Sequence, residues 1–440
     1  MSRPGRPSRR GASVAVTALA LALAATGCGA GAGWEPAPEA LPDAPALQVS
    51  PVTSTPEDRG GPSLTSVDRV VLFSAGDDLG VIGSGRYADL VRTWRTDGRT
   101  WTTVGDVTGP IQNASRTADG RLCGTRRDDA PICIAADGRT VRTLDRPPAH
   151  PDHPQSSLDG RDPAEGRRWS ATMTVGDDFY ALVESRRLGY LVRLDGRRQR
   201  PVGDGIVVGY GSHIVLAPRE GRAPCVVGSS KVRDAADEVV PDQLELTVAC
   251  PGERTRKVIA PLPVPAESDV EEHLLGVDRE LEGAVIVGRT VVAGIKHAWD
   301  AGTADDRHAA GTTWTVVAGD GSRLEPVPVG GSVGDGTVGG DLHVAGGRVW
   351  ALRRASGRGA GFRTGSIDLL RIDADAGRVD GRATLVEDGR IERSPGAVRT
   401  VGDRLWVAAQ AAGPVPGQDD DTAVGGRIGW RLWTVPSAAR

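Results

Sequence analysis

Short apolar segments alternate with polar turns along the chain from about residue 64 to the C-terminus. Each turn contains glycine or aspartate and leads into a segment that is apolar at consecutive positions, as in residues 67–72, 211–216, 287–292 and 401–407. A strand that is apolar on both faces is buried on both sides, which is typical of strands inside stacked sheets. The pattern therefore predicts buried strands and very little helix.

A second kind of segment follows each of these strands. Residues 90–98, 133–138, 191–196 and 314–321 alternate between apolar and polar positions and end at Asp-Gly. Asp-Gly supplies the positive φ that a tight hairpin needs. Together the two kinds of segment make a unit of roughly 35 to 75 residues, which has the composition of a four-stranded antiparallel sheet.

Repetition of this unit predicts an all-β fold, a β-propeller of about seven four-stranded antiparallel blades. Six or eight blades, or a pair of two-sheet sandwiches, remain alternatives. The last unit lacks an outer strand, and residues 47–52 or the segment around Leu64 are expected to complete it, because a ring of sheets must leave no exposed edge. The predicted blades begin near residues 64, 109, 169, 205, 274, 340 and 396.

Five polar insertions interrupt the repeats and are predicted to be loops, because they are rich in aspartate, proline and glycine. Loops on a rigid scaffold are the usual place for recognition. The insertions are residues 147–166, 231–243, 264–272, 296–311 and 414–425.

The N-terminus has the layout of a secretory signal peptide, with four arginines before residue 11 and an apolar run that ends in Ala25-Thr26-Gly27-Cys28. These four residues resemble the lipobox of bacterial lipoproteins of the actinobacterial type, although Ala25 stands where the family usually has leucine. The resemblance implies that Cys28 carries a diacylglycerol thioether and holds the protein at the outer face of the cytoplasmic membrane. A secreted protein with a chance cysteine is the alternative, and the choice between Sec and Tat export stays open.

The domain organisation follows from these segments. Residues 1–27 are the predicted signal peptide, and residues 28–62 are a flexible tether rich in proline, alanine and glycine, because such a segment buries too little apolar surface to fold. Residues 63–440 are the predicted propeller.

Charge gives no sign of a nucleic-acid partner, because the formal net charge is only −4 over 440 residues. The abundant arginines are interpreted as scattered and matched by acidic residues.

Four cysteines remain once Cys28 is assigned to lipid. In an oxidising compartment the simplest of the three possible connectivities joins Cys123 to Cys133 and Cys225 to Cys250, so that each bond closes a hairpin. A zinc site is the alternative, but zinc ligands usually have CxxC spacing with histidines nearby.

No convergent catalytic chemistry is visible, so no catalytic, metal or cofactor residue is predicted. Residues 96–101 resemble the Asp-box turn of sialidase-type propellers, with one residue fewer between Asp97 and Trp101. That resemblance implies a stabilising turn in which the carboxylate accepts backbone hydrogen bonds and the tryptophan packs between strands. His150, Asp152 and His153 are interpreted as a solvated loop rather than a metal site.

These observations predict a monomeric, membrane-anchored propeller that acts without catalysis as a binding or scaffolding module for an envelope protein or polysaccharide. One alternative is a hydrolase of carbohydrate or ester with acidic residues around the central channel, and another is an accessory sensor module that works with a membrane kinase or transporter. Paired carboxylates at the channel mouth would favour the enzyme.

Overall fold

The computed structural model describes residues 43–52, 69–75, 77–84, 90–108, 111–116, 122–126, 131–134, 141–143, 147–152, 167–175, 178–185, 188–195, 198–208, 213–262, 274–303, 306–329, 338–354, 364–390, 396–412 and 428–436. Its regular structure over these ranges consists of strands: β1 (Ser50–Pro51), β2 (Arg69–Ala75), β3 (Asp78–Ser84), β4 (Leu90–Thr96), β5 (Trp101–Thr108), β6 (Ile111–Arg116), β7 (Leu122–Arg126), β8 (Pro131–Ile134), β9 (Val141–Thr143), β10 (Arg168–Val175), β11 (Asp178–Ser185), β12 (Leu188–Asp195), β13 (Arg198–Val207), β14 (Ile214–Arg219), β15 (Arg222–Arg233), β16 (Val239–Ala249), β17 (Arg256–Pro261), β18 (Leu274–Val287), β19 (Thr290–Thr303), β20 (Asp306–Gly319), β21 (Glu325–Val327), β22 (Val338–Ala345), β23 (Arg348–Arg354), β24 (Thr364–Asp373), β25 (Arg378–Arg390), β26 (Gly396–Val401), β27 (Arg404–Ala412) and β28 (Ile428–Pro436).

The described strands fall into seven four-stranded antiparallel groups, which we call blades I to VII. Blade I is β2–β5, blade II is β6–β9, blade III is β10–β13, blade IV is β14–β17, blade V is β18–β21 and blade VI is β22–β25. Blade VII consists of β26, β27 and β28, with β1 from the other end of the chain as its outer strand.

The first strands of the blades form a closed ring. Strands β2, β6, β10, β14, β18, β22 and β26 each contact the next in this series, and β26 contacts β2. Strands β14 and β18 run parallel where they meet. This arrangement is that of a β-propeller and confirms the predicted fold class. We call face A the side that carries the turns between strands 1 and 2 and between strands 3 and 4 of each blade, and face B the opposite side.

The hydrophobic core lies between neighbouring blades rather than inside any one of them. Between blades IV and V, for example, Leu244 and Val258 share a buried cluster with Leu281, Val291 and Ile295. Burial of each such side chain stabilises the fold by about 1.5–3 kcal/mol relative to exposure. The strands are apolar on both faces because each blade packs against two neighbours.

Blades IV and V are joined at both ends and form one eight-stranded sheet. At the centre of the ring, Arg219 of β14 pairs with Ile286 of β18. At the outer edge, the Ile259 amide donates to the Ser322 carbonyl oxygen at 2.8 Å, and the Leu324 amide donates to the Ile259 carbonyl oxygen at 2.8 Å. Backbone pairing at both ends leaves these two blades little freedom to move apart.

The N-terminal segment closes the ring, as predicted for residues 47–52. Ser50 pairs with Thr434 in β28, and the Val52 amide donates to the Leu432 carbonyl oxygen at 2.9 Å. The Leu47 amide also donates to the Arg382 carbonyl oxygen of blade VI at 2.8 Å. Blade VII is therefore held by strands from both ends of the chain.

The predicted Asp-box-like turn connects β4 to β5. Asp97 Oδ1 accepts hydrogen bonds from the Arg99 and Thr100 amides at 2.8 and 2.7 Å. These bonds lower the pKa of Asp97 from 3.8 to about 2. Trp101 is buried in a cluster with Trp406 of blade VII, so the turn stabilises the contact between blades VII and I.

Two of the predicted loops are strands instead. Residues 296–311 belong to a long hairpin in which β19 and β20 continue almost to their connecting residues. Residues 231–243 likewise belong mostly to the β15–β16 hairpin, whose turn is capped by Asp234 Oδ1. The prediction was wrong because these ribbons carry many polar residues, which hid their pairing.

Candidate functional site

A cleft of about 910 Å³ lies on face A, where turns of blades IV, V and VI come together. This volume is within the usual range for sites that hold small ligands or segments of larger ones. The cleft is lined by Arg219, Glu220, Arg222, Glu253, Arg254, Thr255, Arg256, Ile286, Val287, Gly288, Arg289, Val344 and Gly347.

Tight turns bring the cleft residues together. Gly288, with φ of 57°, lies between β18 and β19, and Gly347, with φ of 70°, lies between β22 and β23. Both glycines adopt the left-handed conformation that L-residues with a Cβ rarely take. A short turn places the next arginine, Arg289, directly at the rim of the cleft.

Arg256 is held in the cleft by two backbone acceptors. Its Nη2 donates to the Arg289 carbonyl oxygen at 2.5 Å, and its Nη1 donates to the Asp320 carbonyl oxygen at 3.1 Å. Burial lowers the pKa of Arg256, and the nearby positive charges of Arg289 and Arg219 lower it further, against the opposing influence of Glu253 and Asp320. The guanidinium is thus held by neutral acceptors of blade V.

The two acidic residues of the cleft are both engaged in holding its walls. Glu253 Oε1 accepts from Nη2 of the buried Arg219 at 2.6 Å. Glu220 accepts from the Gly346 and Gly347 amides, at 3.0 and 2.9 Å, and so joins the first turns of blades IV and VI. Neither carboxylate forms a salt bridge with the remaining four arginines, although the charge of Glu253 acts on Arg256.

The cleft therefore has an excess of positive charge. Five arginines face two glutamates, and one of those glutamates is paired with Arg219. Within the described ranges, Arg222, Arg254, Arg256 and Arg289 form no salt bridge. Guanidinium groups in a concave site are suited to bind oxyanions, because their planar N–H donors match carboxylate and phosphate oxygens.

A second polar contact joins the first strands of blades VI and VII. His343 Nε2 lies 2.8 Å from Thr400 Oγ1. Burial, together with the positive charge of Arg399, lowers the pKa of His343 to about 3. The imidazole is therefore neutral near pH 7.

The predicted cysteine residues are found in equivalent hairpins. The structure contains the predicted Cys225–Cys250 disulfide, with a Cα–Cα distance of 4.3 Å. Cys123 and Cys133 lie directly opposite each other on β7 and β8; the side chain of Cys123 is outside the described part of the structure, and this pairing stays a prediction.

The predicted lipidation residue Cys28 and the predicted signal peptide 1–27 lie outside the described residues, as does His153. The interpretation of His150 as part of a solvated loop was wrong, because His150 is buried and its Nε2 lies 3.1 Å from the Gly203 carbonyl oxygen. In the part of the chain that the structure describes, no three His, Cys, Asp or Glu residues are grouped closely enough to hold a metal ion. Nor does any helix of that part have the length and apolar character needed to cross a bilayer.

The sequence did not predict the arginine cleft, because its arginines are interpreted as matched by acidic residues. That interpretation was wrong for this cleft because its residues come from four separate turns. One signal was available: a Gly-Arg pair recurs at the first turn of several units, as in Gly221-Arg222, Gly288-Arg289 and Gly347-Arg348. In a ring, these turns converge on one face.

Fold and site together define a β-propeller with a basic cleft on one face. No protein-family model matches the chain, and no curated protein matches it in sequence.

Several solved structures are similar in architecture at low sequence identity. YCF48 from Cyanidioschyzon merolae is 11% identical with a TM-score of 0.42, and the match covers 90% of this chain and 100% of that one. BamB from Moraxella catarrhalis is 11% identical with a TM-score of 0.39, covering 85% of each chain. The polysaccharide lyase Uly1 is 10% identical with a TM-score of 0.41, covering 84% of this chain and 89% of that one. The propeller assignment rests on the strand topology, and these likenesses assign no function.

Proposed function

We propose that the protein is an extracytoplasmic lipoprotein whose propeller is a non-enzymatic binding module for an envelope protein or polymer, with the cleft on face A as the binding surface. The observation that carries this proposal is the excess of arginines in a concave site built by turns of three blades. A rigid scaffold with exposed cationic groups binds an anionic partner without needing reactive groups. The joined blades IV and V hold most of these arginines in place.

Photo-crosslinking tests the binding surface. Benzoylphenylalanine is placed at position 222, on the cleft rim, or at position 231, near the other end of the same strand β15 and exposed. We expect adducts with envelope material from position 222 and none from position 231, because the two ends of the strand lie towards opposite faces. Equal adducts from both positions, or from neither, would contradict the assignment of the cleft.

The anchor is tested by replacing Cys28. The Ala25-Thr26-Gly27-Cys28 sequence supports lipidation at Cys28. We expect the wild-type protein in the membrane fraction and Cys28→Ser in the soluble extracytoplasmic fraction or culture medium. Membrane recovery of Cys28→Ser equal to wild type would exclude the lipid as the anchor.

Hydrolysis is a second candidate function, favoured by the His343–Thr400 contact between two first strands of the ring. A neutral imidazole within hydrogen-bond distance of a hydroxyl is the arrangement of a base and a nucleophile. This candidate predicts turnover of nitrophenyl esters or glycosides by the purified protein and its loss in Thr400→Val. A wild-type protein that is inactive on such a panel counts against the enzyme.

A further inference from the structure

The chemistry of the cleft narrows the class of ligand. Arg256 carries a charge that is partly removed from water and is held by backbone carbonyl oxygens rather than by a carboxylate. Removing a charge from water is unfavourable unless an opposite charge compensates it. Glu253 and Asp320 offset part of this cost. A ligand oxyanion in the cleft offsets more of it, so the site favours an anion over a neutral sugar or peptide.

The placement of the arginines on three different turns favours a tetrahedral anion. Arg222 begins β15 directly after the turn between strands 1 and 2 of blade IV, Arg254 lies in the turn between strands 3 and 4 of that blade, and Arg289 lies in the turn between strands 1 and 2 of blade V. Donors that reach the ligand from three different turns approach it from different directions. A phosphoryl group offers oxygens in several directions, whereas a carboxylate accepts in one plane.

The number of arginines favours a chain of anionic groups. Four guanidinium groups without a salt bridge, which come from three turns along a cleft of about 910 Å³, offer more N–H donors than the oxygens of one phosphoryl group accept. Among the described residues that line the cleft there is no aromatic side chain. Proteins that bind single-stranded nucleic acid usually stack bases on aromatic rings, so the lining suits a phosphate polymer without bases.

We infer that the cleft binds successive phosphoryl groups of a base-free phosphate polymer. This inference rests on the proposed function, because it names the ligand class of the same cleft. The polymer is either a phosphodiester chain of polyols or sugars, or a free polyphosphate chain, and both present the same non-bridging oxygens.

Titration calorimetry with defined polymers tests the inference. The probes are poly(glycerol phosphate), inorganic polyphosphate, poly-L-glutamate and an oligothymidylate, all compared at equal charge and at two salt concentrations. We expect one or both of the first two to bind at least about tenfold more tightly than poly-L-glutamate, with affinity that falls as salt rises. Whichever of the two binds more tightly identifies the source of the phosphoryl groups.

Matched variants locate the binding. Arg254→Ala combined with Arg289→Ala is expected to weaken phosphate-polymer binding by at least about tenfold, because two charge-assisted contacts are lost. Lys231→Ala removes a positive charge near the other end of β15 and should leave binding unchanged. Equal loss in both variants would show general charge attraction and overturn the inference.

The probe results also distinguish failure of the inferred ligand class from failure of the proposed binding surface. Poly-L-glutamate that binds as tightly as the phosphate polymers would overturn the choice of phosphoryl groups, and tighter binding of the oligothymidylate would point to nucleic acid instead. If no probe binds while position 222 still gives envelope adducts, the ligand class is wrong and the proposed binding surface stands. If no probe binds and no adduct forms, both fail.

Discussion

Two regions of the propeller use arginine in opposite ways. In blade VI, Arg348 contacts Asp373 and Asp380 at 3.2 and 3.1 Å, and Arg371 contacts Asp380 at 2.6 Å. In the cleft of blades IV and V, four arginines form no salt bridge within the described ranges. The arginines of blade VI are thus part of the fold, whereas those of the cleft are available to a ligand.

The two regions differ in the positions of their acidic residues relative to the arginines. Strands β24 and β25 of blade VI place aspartates beside arginines on neighbouring strands, so the pairs form as the sheet forms. The cleft arginines lie in turns or at the first residue of the strand that follows a turn. The acidic residues nearby hold Arg219 and the blade VI turn. A matched pair on a strand therefore indicates stability, and an unmatched arginine on a converging turn indicates binding.

The largest expected effect on stability comes from replacing Asp368, the most deeply buried acidic residue of blade VI. Its side chain has 0% exposure, and it accepts from Thr384 Oγ1 at 2.7 Å and contacts Arg353 and Arg382 at 3.6 and 3.4 Å. Asp368→Ala removes the negative charge opposite the buried Arg353 and should lower the free energy of unfolding by about 3–5 kcal/mol. Urea denaturation measures this loss.

Asp368→Asn is the control, because it keeps an oxygen that accepts from Thr384. It should cost less than the alanine variant. If Asp368→Ala were as stable as wild type, the matched arginines of blade VI would not be structural, and the comparison with the cleft would fail.

The next effect concerns the scaffold of the cleft, which is held by a disulfide in addition to the Arg219–Glu253 ion pair. The Cys225–Cys250 disulfide joins β15 to the end of β16, across a sequence separation of 25 residues. Combined Cys225→Ala and Cys250→Ala should lower the free energy of unfolding by about 2–4 kcal/mol. Urea denaturation of this variant beside wild type measures the loss, and equal unfolding midpoints would refute it.

Much of the fold could be predicted from the sequence, because it depends on local signals. Asp-Gly turns and doubly apolar strands mark each blade, and the shortage of an outer strand near residue 430 indicates closure by the N-terminal segment. The cleft could not be predicted, since the joining of Glu220 to Gly346 and Gly347 links residues more than 120 positions apart. Whether Arg254 meets an acid depends on the angle between blades, which no local pattern encodes.

A smaller effect is expected at Asp97, whose charge is satisfied by backbone amides rather than by arginine. Its folded pKa of about 2 lies below the ordinary 3.8, so its contribution to stability is present above pH 3.8 and is lost as pH falls towards 2. Asp97→Asn should be less stable than wild type at pH 6, and the difference between their urea midpoints should shrink at pH 2.5. A difference that stays constant between these pH values would contradict the depressed pKa.

The smallest effect is expected in the cleft itself. Arg254 is exposed and forms no salt bridge within the described ranges, so Arg254→Ala should change the free energy of unfolding by no more than about 0.5 kcal/mol. Arg371→Ala in blade VI is the matched control, because it removes the same side chain from a 2.6 Å contact with Asp380. It should destabilise the protein measurably, as the partly buried Asp380 then loses a charged hydrogen bond. A side chain that serves only to bind a ligand contributes little to the stability of the unliganded protein. If urea denaturation showed Arg254→Ala to be more destabilising than Arg371→Ala, the cleft arginines would therefore be structural.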